Sequence, residues 1–404
     1  GAHFTSRDII YLMTELLIAP EKDDIKENGC TKTAYDMAMG TSQMLGCLTE
    51  RLTDISEDAD LTCFGEEFNP ETYAIAKADM LIKGGNASGM MYGDTLNDDK
   101  FSGYEFDYII SNPPFGIDWK REKAEVEAEA KKGYDGRFGP GLPAISDGQM
   151  LFMLNGVKKL KEGSGCMAII QNGSSLFTGD AGSGASEIRR YVITEDMVEA
   201  IIQMPTDLFY NTGISTYIWV LTKGKPAHRL GKVQLIDASK CFVKRRKNIG
   251  NKRVDLNDKC IELIMKAYME FENEVYTDGE LVVESKTFDN DFFGFTKVTV
   301  ETAQADENGK AILKKGKPQA VKGASDSEII PLSEDIDEYI AKNVLPYNPL
   351  AFADRKKDKV GYEIPFTRLF YKFTAPQSSE DIFADIKALE EEETTLMKEL
   401  FGNA

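Results

Sequence analysis

"FDYIISNPPFG", residues Phe106–Gly116, decides the fold. The apolar and aromatic run Phe106–Ile110, interrupted only by Asp107, reads as a buried strand. Ser111 and Asn112 end it. Pro113 and Pro114 then fix φ near about −65° and cannot donate to a sheet ladder, so the strand stops there. Phe115 and Gly116 follow. A core strand of this kind ends by presenting an amide side chain, a rigid backbone carbonyl and an aromatic ring.

Strand and helix patterns alternate on both sides of it. "FTSRDIIYLMTELL" opens with Thr5 or Ser6 as N-cap, and Ile9, Leu12, Met13, Leu16 and Leu17 recur at helical spacing. "TKTAYDM" leads to a helix over about Ser42–Leu52. "DLTCFGEEF" leads to "NPETYAIAKADMLIKG", where Asn69 caps and Pro70 takes the first helical position. After a long polar stretch, Asp118–Ile145, come the helix "DGQMLFMLNGVKKLKEG" and the strand "GCMAIIQNG". The helix "SEIRRYVITED" and the strands "MVEAIIQMP" and "STYIWVLTKG" complete the run. Such alternation predicts an α/β fold, a doubly wound, mostly parallel sheet covered on both faces, with its ligand at the C-terminal strand ends. Gly163–Ala168, "GSGCMA", matches a dinucleotide pattern but precedes a strand instead of opening a helix, and is discarded.

Past Pro226 the regularity weakens. "CFVKRRKNIGNKR" collects Lys244, Arg245, Arg246, Lys247, Lys252 and Arg253. A small β excursion follows, with a tight turn at Asn308–Gly309. Ser378 caps a last helix in which Ile382, Ile386, Leu389, Leu396 and Leu400 take heptad core positions, Glu393 standing between two of them.

Composition narrows the classes. At 42% hydrophobic and 28% charged the 404 residues suit a globular protein, and no apolar run approaches the roughly 18 residues that span a bilayer. The six cysteines include no C-x-x-C pair, and only His3 and His228 accompany them, which argues against a zinc site and a disulfide framework. A reduced, cytoplasmic protein is expected. The formal charge of −19 predicts that the chain binds nucleic acid poorly alone and relies on a more basic partner for such a substrate.

Four strand ends carry the chemistry. Asp36 precedes a turn in which Gly40 lets the backbone approach a ligand. Glu67 ends the second strand, where an acid holds ribose hydroxyls at a doubly wound switch point. Asp94 follows the third and can accept from an adenine amino group. Asn112-Pro113-Pro114-Phe115 ends the fourth. Together these describe an adenosine site beside a reactive site.

"NPPF" after a strand, with a D-x-x-x-G-T turn upstream, resembles the amino-group DNA methyltransferases that use S-adenosylmethionine. "GRFGPGLPAISDGQMLFMLNGVKKLKEGSGCMAII", "LFYNTGISTYIWVLTKGK" and "VGYEIPFTRLFYKF" extend the resemblance to the modification (M) subunit of type I restriction-modification systems over nearly the whole chain. It implies a seven-stranded Rossmann-like methyltransferase sheet and adenine-N6 methylation of double-stranded DNA. Phe4, Thr5, Asp36, Met37, Gly40, Ser42, Glu67, Asp94 and Asn112 would line S-adenosyl-L-methionine, Glu67 on the ribose and Asp94 on the adenine. The adenine amino group is a poor nucleophile. Two acceptors, the Asn112 oxygen and the Pro113 carbonyl, would favour its pyramidal form, Pro114 would fix the backbone, and Phe115 would stack on a flipped-out base. Neither metal nor covalent nucleophile is called for.

The sequence departs from the family where Met37 and Met39 replace a proline and a small residue, Ser42 a glycine and Ser6 a proline. These changes are expected to narrow the cofactor loop. They motivate an alternative, a catalytically degenerate module with a structural role. A dehydrogenase-like enzyme would need a Gly-rich strand-to-helix loop that is not found. The expected organisation is a catalytic domain over 1–270, an irregular or β extension over 271–375, and a docking helix over 376–404. By the resemblance, residue 1 falls at the start of the family's cofactor domain, with its N-terminal helical domain absent. The partners it implies are DNA, a specificity (S) subunit met partly through the terminal helix, a restriction (R) subunit, and a second copy of this chain.

Overall fold

A strand that is apolar on both faces needs a layer of helices above and below it, and the central sheet is built from such strands. The computed structural model describes residues 4–373 and 377–402. Strands β1 (Cys30–Asp36), β2 (Ala59–Glu67), β3 (Met90–Tyr92), β4 (Tyr108–Ser111), β5 (Cys166–Asn172), β6 (Val198–Gln203), β7 (Thr216–Thr222) and β8 (Lys232–Lys240) run through the first 240 residues. A hairpin, β9 (Val243–Ile249) and β10 (Lys252–Asp255), stands apart from the sheet. All four residues of β4 and all seven of β7 are buried.

The helices up to residue 270 are α1 (Arg7–Ile18), α2 (Lys22–Asn28), α3 (Gln43–Ile55), α4 (Pro70–Ile82), α5 (Lys123–Ala130), α6 (Gln149–Lys158), α7 (Ser174–Phe177), α8 (Gly184–Thr194) and α9 (Asp258–Glu270). On one face α1, α3 and α9 bury Leu12, Leu16, Leu48 and Ile264 against Ile110, Ile170 and Ile218. Period-two alternation sends Ile109 and Met167 to the other face, where Met167 packs against Gly156 of α6.

Sheet order is β11-β12-β8-β6-β7-β5-β4-β1-β2-β3, with β11 (Glu274–Asp278) and β12 (Leu281–Asp289). The strands β1 to β5 pair in parallel, β7 is antiparallel to β5 and β6, and β8 runs parallel to β6. The connections leave β1 toward β2 on one side and reach β4 on the other, so the crevice opens at the C-terminal ends of β1 and β4.

Seven of these strands are the expected ones. Three more, β8, β12 and β11, extend that edge, so the sheet passes the expected boundary at 270. The cause is a long-range pairing, Gln234 opposite Thr287 and Val233 opposite Phe288, that no local pattern announces. A second, antiparallel sheet centres on β13 (Gly294–Ala303), flanked by Ala320–Pro331, Ala351–Ala353 and Lys359–Tyr362. Val298, Val300, Ile330 and Ile340 form its core.

The two sheets are joined through Arg189 of α8. Its guanidinium is buried and donates to the carbonyls of Tyr362 (2.6 Å), Ser175 (3.1 Å) and Thr178 (2.9 Å). Burial pulls its pKa down to about 10. The compact body ends at Phe366, and Thr367–Ala404 forms a second unit. In it a helix spans Ser379–Phe401, and the Ser378 hydroxyl accepts from the Asp381 N–H at 3.1 Å. Ile382, Ile386, Leu389, Leu396 and Leu400 are exposed along it. Among the described residues no helix is long and apolar enough to cross a membrane.

Candidate active site

Asp36, the last residue of β1, is buried. Its Oδ1 accepts from the Ser111 hydroxyl (2.7 Å) and the Ala38 N–H (3.1 Å). Burial pushes its carboxyl up to about 7 against these bonds, and the nearby Glu67 charge adds to the rise. The turn beyond is tied to the end of β2: the Met39 N–H donates to the Glu66 carbonyl and the Gly40 N–H to Glu67 Oε2, both at 2.9 Å. Gly40 has φ +53°, and a Cβ there would meet nothing within 4 Å, so the backbone faces open space. Glu67 Oε1 accepts from the Asn69 N–H at 2.8 Å. Two backbone donors thus aim the carboxylate, and each oxygen keeps capacity for a further donor.

Asp94 follows β3. Its Oδ1 accepts from the Leu96 N–H (3.1 Å), which fixes the turn that holds it. Behind it lies a buried polar net. The Thr95 hydroxyl reaches the Met37 carbonyl (2.7 Å) and Glu66 Oε2 (3.2 Å), and Tyr35 donates to the same Glu66 oxygen. Arg137 bonds the Thr95 carbonyl and Asn155 and pairs with Glu129. Burial raises the Glu66 carboxyl. This net binds the loop after β1 to the loop after β3.

Asn112 ends the fourth strand. Its Nδ2 donates to Thr5 Oγ1 at 2.9 Å, while its buried Oδ1 has no partner among the described residues. An acceptor left idle in that way costs about 1–3 kcal/mol until a donor reaches it. Pro113 is buried, Pro114 is half-buried, and Phe115 packs part of its ring against the core.

These groups border one cleft of about 630 Å³, which brings together Phe4, Thr5, Asp36, Met37, Gly40, Glu67, Asp94, Asn112 and Pro114. Pro113 and Phe115 adjoin it without lining it. Ser42 is placed otherwise than expected. It is buried with φ +65°, and that left-handed turn sends its hydroxyl to the Met90 sulfur (3.9 Å) instead of the cleft.

The two methionines expected to narrow the loop are seated against glycines. Met37 and Met39 are only 2% and 3% exposed, although both border the cleft. Met39 packs over Gly65, where a Cβ would lie 3.1 Å from its own Cβ, and the Met37 methyl stands 3.0 Å from a Cβ built on Gly156. Two glycines make the room that small residues or a proline would leave elsewhere.

Phe68, Asn69, Thr72, Ile117, Asp118, Arg121, Glu122 and Phe152 also line the cleft and were not foreseen. Burial and the facing Asp94 carboxylate raise the Glu122 carboxyl. Arg121 and Glu122 come from the polar stretch after Asp118, which carries no pattern that would mark them.

Comparisons with known proteins give the family. The family model described as N-6 DNA Methylase matches residues 1–308. The type I restriction enzyme MjaIX methylase subunit of Methanocaldococcus jannaschii is 27% identical over 284 residues, which cover 68% of this chain and 46% of the relative. The HindI methylase subunit of Haemophilus influenzae is 28% identical over 244 residues, 59% of this chain and 49% of the relative. The chain therefore spans a little under half the length of these relatives. A solved type I methyltransferase subunit from Streptococcus thermophilus superposes with a TM-score of 0.59 at 26% identity, covering 72% of this chain and 56% of that one. With its family's model matched over most of its length and the strand-end residues gathered in one cleft, the chain belongs to the N-6 DNA methylase family.

Proposed function

We propose that the chain is the methyltransferase subunit of a type I restriction-modification system, transferring a methyl group from S-adenosyl-L-methionine to adenine N6 in double-stranded DNA. The observation that carries this reading is Asn112: a buried amide oxygen with no partner at the end of β4, beside a proline-fixed backbone and on the wall of the cleft.

The residues fit the cofactor. Glu67 would take the ribose hydroxyls through its remaining acceptor capacity, Asp94 the adenine amino group, and the open backbone at Gly40 the close approach of the chain between them. Bound there, S-adenosyl-L-methionine supplies an electrophilic methyl on a sulfonium. Asn112 Oδ1 and the Pro113 carbonyl accept the two amino hydrogens of the target base and turn its nitrogen lone pair out of the ring plane. Thr5 holds the Asn112 amide in that orientation. Phe115, with part of its ring outside the core, offers the extruded base a stacking face. No charge has to be neutralised covalently, so preorganised acceptors suffice.

The relatives' names point to a complex, and a chain of charge −19 needs one. A specificity subunit would read the sequence and supply much of the DNA affinity, docking partly on the helix Ser379–Phe401, with a restriction subunit and a second copy of this chain completing the assembly in the cytoplasm. Asn112→Ala tests the chemistry. Methyl transfer in the assembled complex should fall by roughly two orders of magnitude or more, with cofactor binding retained by calorimetry. Substantial transfer by that variant, or methyl found on cytosine, would overturn the assignment.

A further inference from the structure

The basic run between Lys244 and Arg253 is split by the structure into two kinds of residue. Lys252 is 1% exposed, with Nζ 3.0 Å from Asp8 Oδ2, 3.2 Å from Asp255 Oδ1 and 3.0 Å from the Leu208 carbonyl. Arg245 pairs with Asp255 at 2.5 Å. These two cations hold the hairpin β9–β10 together at its root. Lys244, Arg246, Lys247 and Arg253 are exposed, and none of the four is in an ion pair among the described residues.

The hairpin has a defined place. The Asn251 N–H donates to the Tyr210 carbonyl and the Arg253 N–H to the Asp207 carbonyl, both at 2.8 Å, in the loop that follows β6. β6 and β5 are each antiparallel to β7 and so run the same way. The loop after β6 therefore lies at the sheet edge where β4 ends in Asn112. Asp8, which holds Lys252, also accepts the Leu256 N–H (2.9 Å) and stands three positions after Thr5, the partner of Asn112. A merely solvated loop does not need a buried lysine at its base, which costs desolvation. Here it braces four free cations beside the reactive edge of a strongly acidic chain.

We infer that the exposed face of this hairpin, Lys244, Arg246, Lys247 and Arg253, contacts the phosphate backbone of duplex DNA next to the cleft. The inference rests on the proposed function, which makes duplex DNA the substrate. Phosphate contacts show as salt dependence: each one adds about 0.9 to the slope of log affinity against log salt on B-DNA.

The test uses the full chain and a labelled mixed-sequence duplex, followed by fluorescence anisotropy from about 20 to about 200 mM salt. Replacing the four residues together (Lys244→Gln, Arg246→Gln, Lys247→Gln, Arg253→Gln) should lower the slope by roughly 3 to 4. Binding at low salt should weaken on the order of a hundredfold. Thermal unfolding and calorimetric binding of S-adenosylhomocysteine should be unchanged, since Arg245 and Lys252 keep the hairpin's root. An unchanged slope, or a parent chain that binds no duplex at the lowest salt, overturns the inference. Failure of the parent to bind S-adenosylhomocysteine overturns the proposed function instead, and the two results are read from separate measurements.

Discussion

Gly65→Ala is a one-methyl probe of how the cofactor loop is seated. A Cβ on Gly65 would lie 3.1 Å from the Met39 Cβ, 3.2 Å from its Cγ and closer still to its sulfur. Met39 cannot simply swing away, because it is 3% exposed and its N–H is fixed to the Glu66 carbonyl at 2.9 Å. Overpacking of this kind costs about 1–3 kcal/mol, or a fall in Tm of roughly 1 °C for each kcal/mol in a chain of 404 residues. Relief by lifting the loop would also pull the Gly40 N–H from Glu67 and weaken binding of S-adenosylhomocysteine. Met39→Ala alone should cost about 2–5 kcal/mol through the cavity it leaves. In the double variant the new methyl enters that cavity, so the combined loss should fall short of the sum by about 1–2 kcal/mol. Thermal unfolding of the four proteins, with ligand titration of each, measures the coupling. Strictly additive losses, or a Gly65→Ala protein with unchanged Tm and affinity, would refute the seating of Met39 over Gly65.

Two further outcomes follow from the same description. The Asp36 carboxyl is raised from 3.8 to about 7, so the fold favours its neutral form. The stability this contributes is complete below about pH 4 and is lost as pH rises through 7. Thermal stability should therefore decline more between pH 5 and pH 8 for the parent than for Asp36→Asn, and equal pH dependences would show that Asp36 does not titrate there. Removing residues 378–404 should leave unfolding and cofactor binding unchanged while abolishing co-purification with a specificity subunit; retained co-purification would assign the docking surface elsewhere.

The parts legible in the sequence are those whose signal is local. Asn69 and Pro70 mark the start of α4 because a cap and a fixed φ act over three residues, and the Asn69 side chain does accept from the Glu71 and Thr72 N–H groups at 3.0 Å. Asp36, Glu67, Asp94 and Asn112 are readable because each stands at the end of a strand or within two residues of it. What escaped depends on partners far away in the chain. Ser42 reads as a cofactor residue until its positive φ turns it inward. Met37 and Met39 read as obstructions until Gly156 and Gly65 are seen beneath them. Glu66 is the buried half of an acidic pair whose half-buried member alone drew notice, and only Tyr35, Thr95 and the Lys100 N–H explain why an acid can sit there. Of the three extra strands, β12 joins the sheet through a pairing some fifty residues apart, Gln234 with Thr287, and brings its hairpin partner β11 with it.

The guanidinium of Arg189, sealed among carbonyls, makes the stability of each sheet depend on the other. Without the strand Lys359–Tyr362 its Nε would lose the Tyr362 carbonyl, and a buried charged donor left unmet costs about 1–3 kcal/mol or more. With Tyr362 in place Arg189 is 1% exposed, so the small sheet is part of what keeps that charge buried. The family's matched region stops at residue 308, yet this contact reaches to Tyr362. The packed unit in this chain is therefore longer than the region that the family model matches, and the small sheet and the large one should unfold as a single piece.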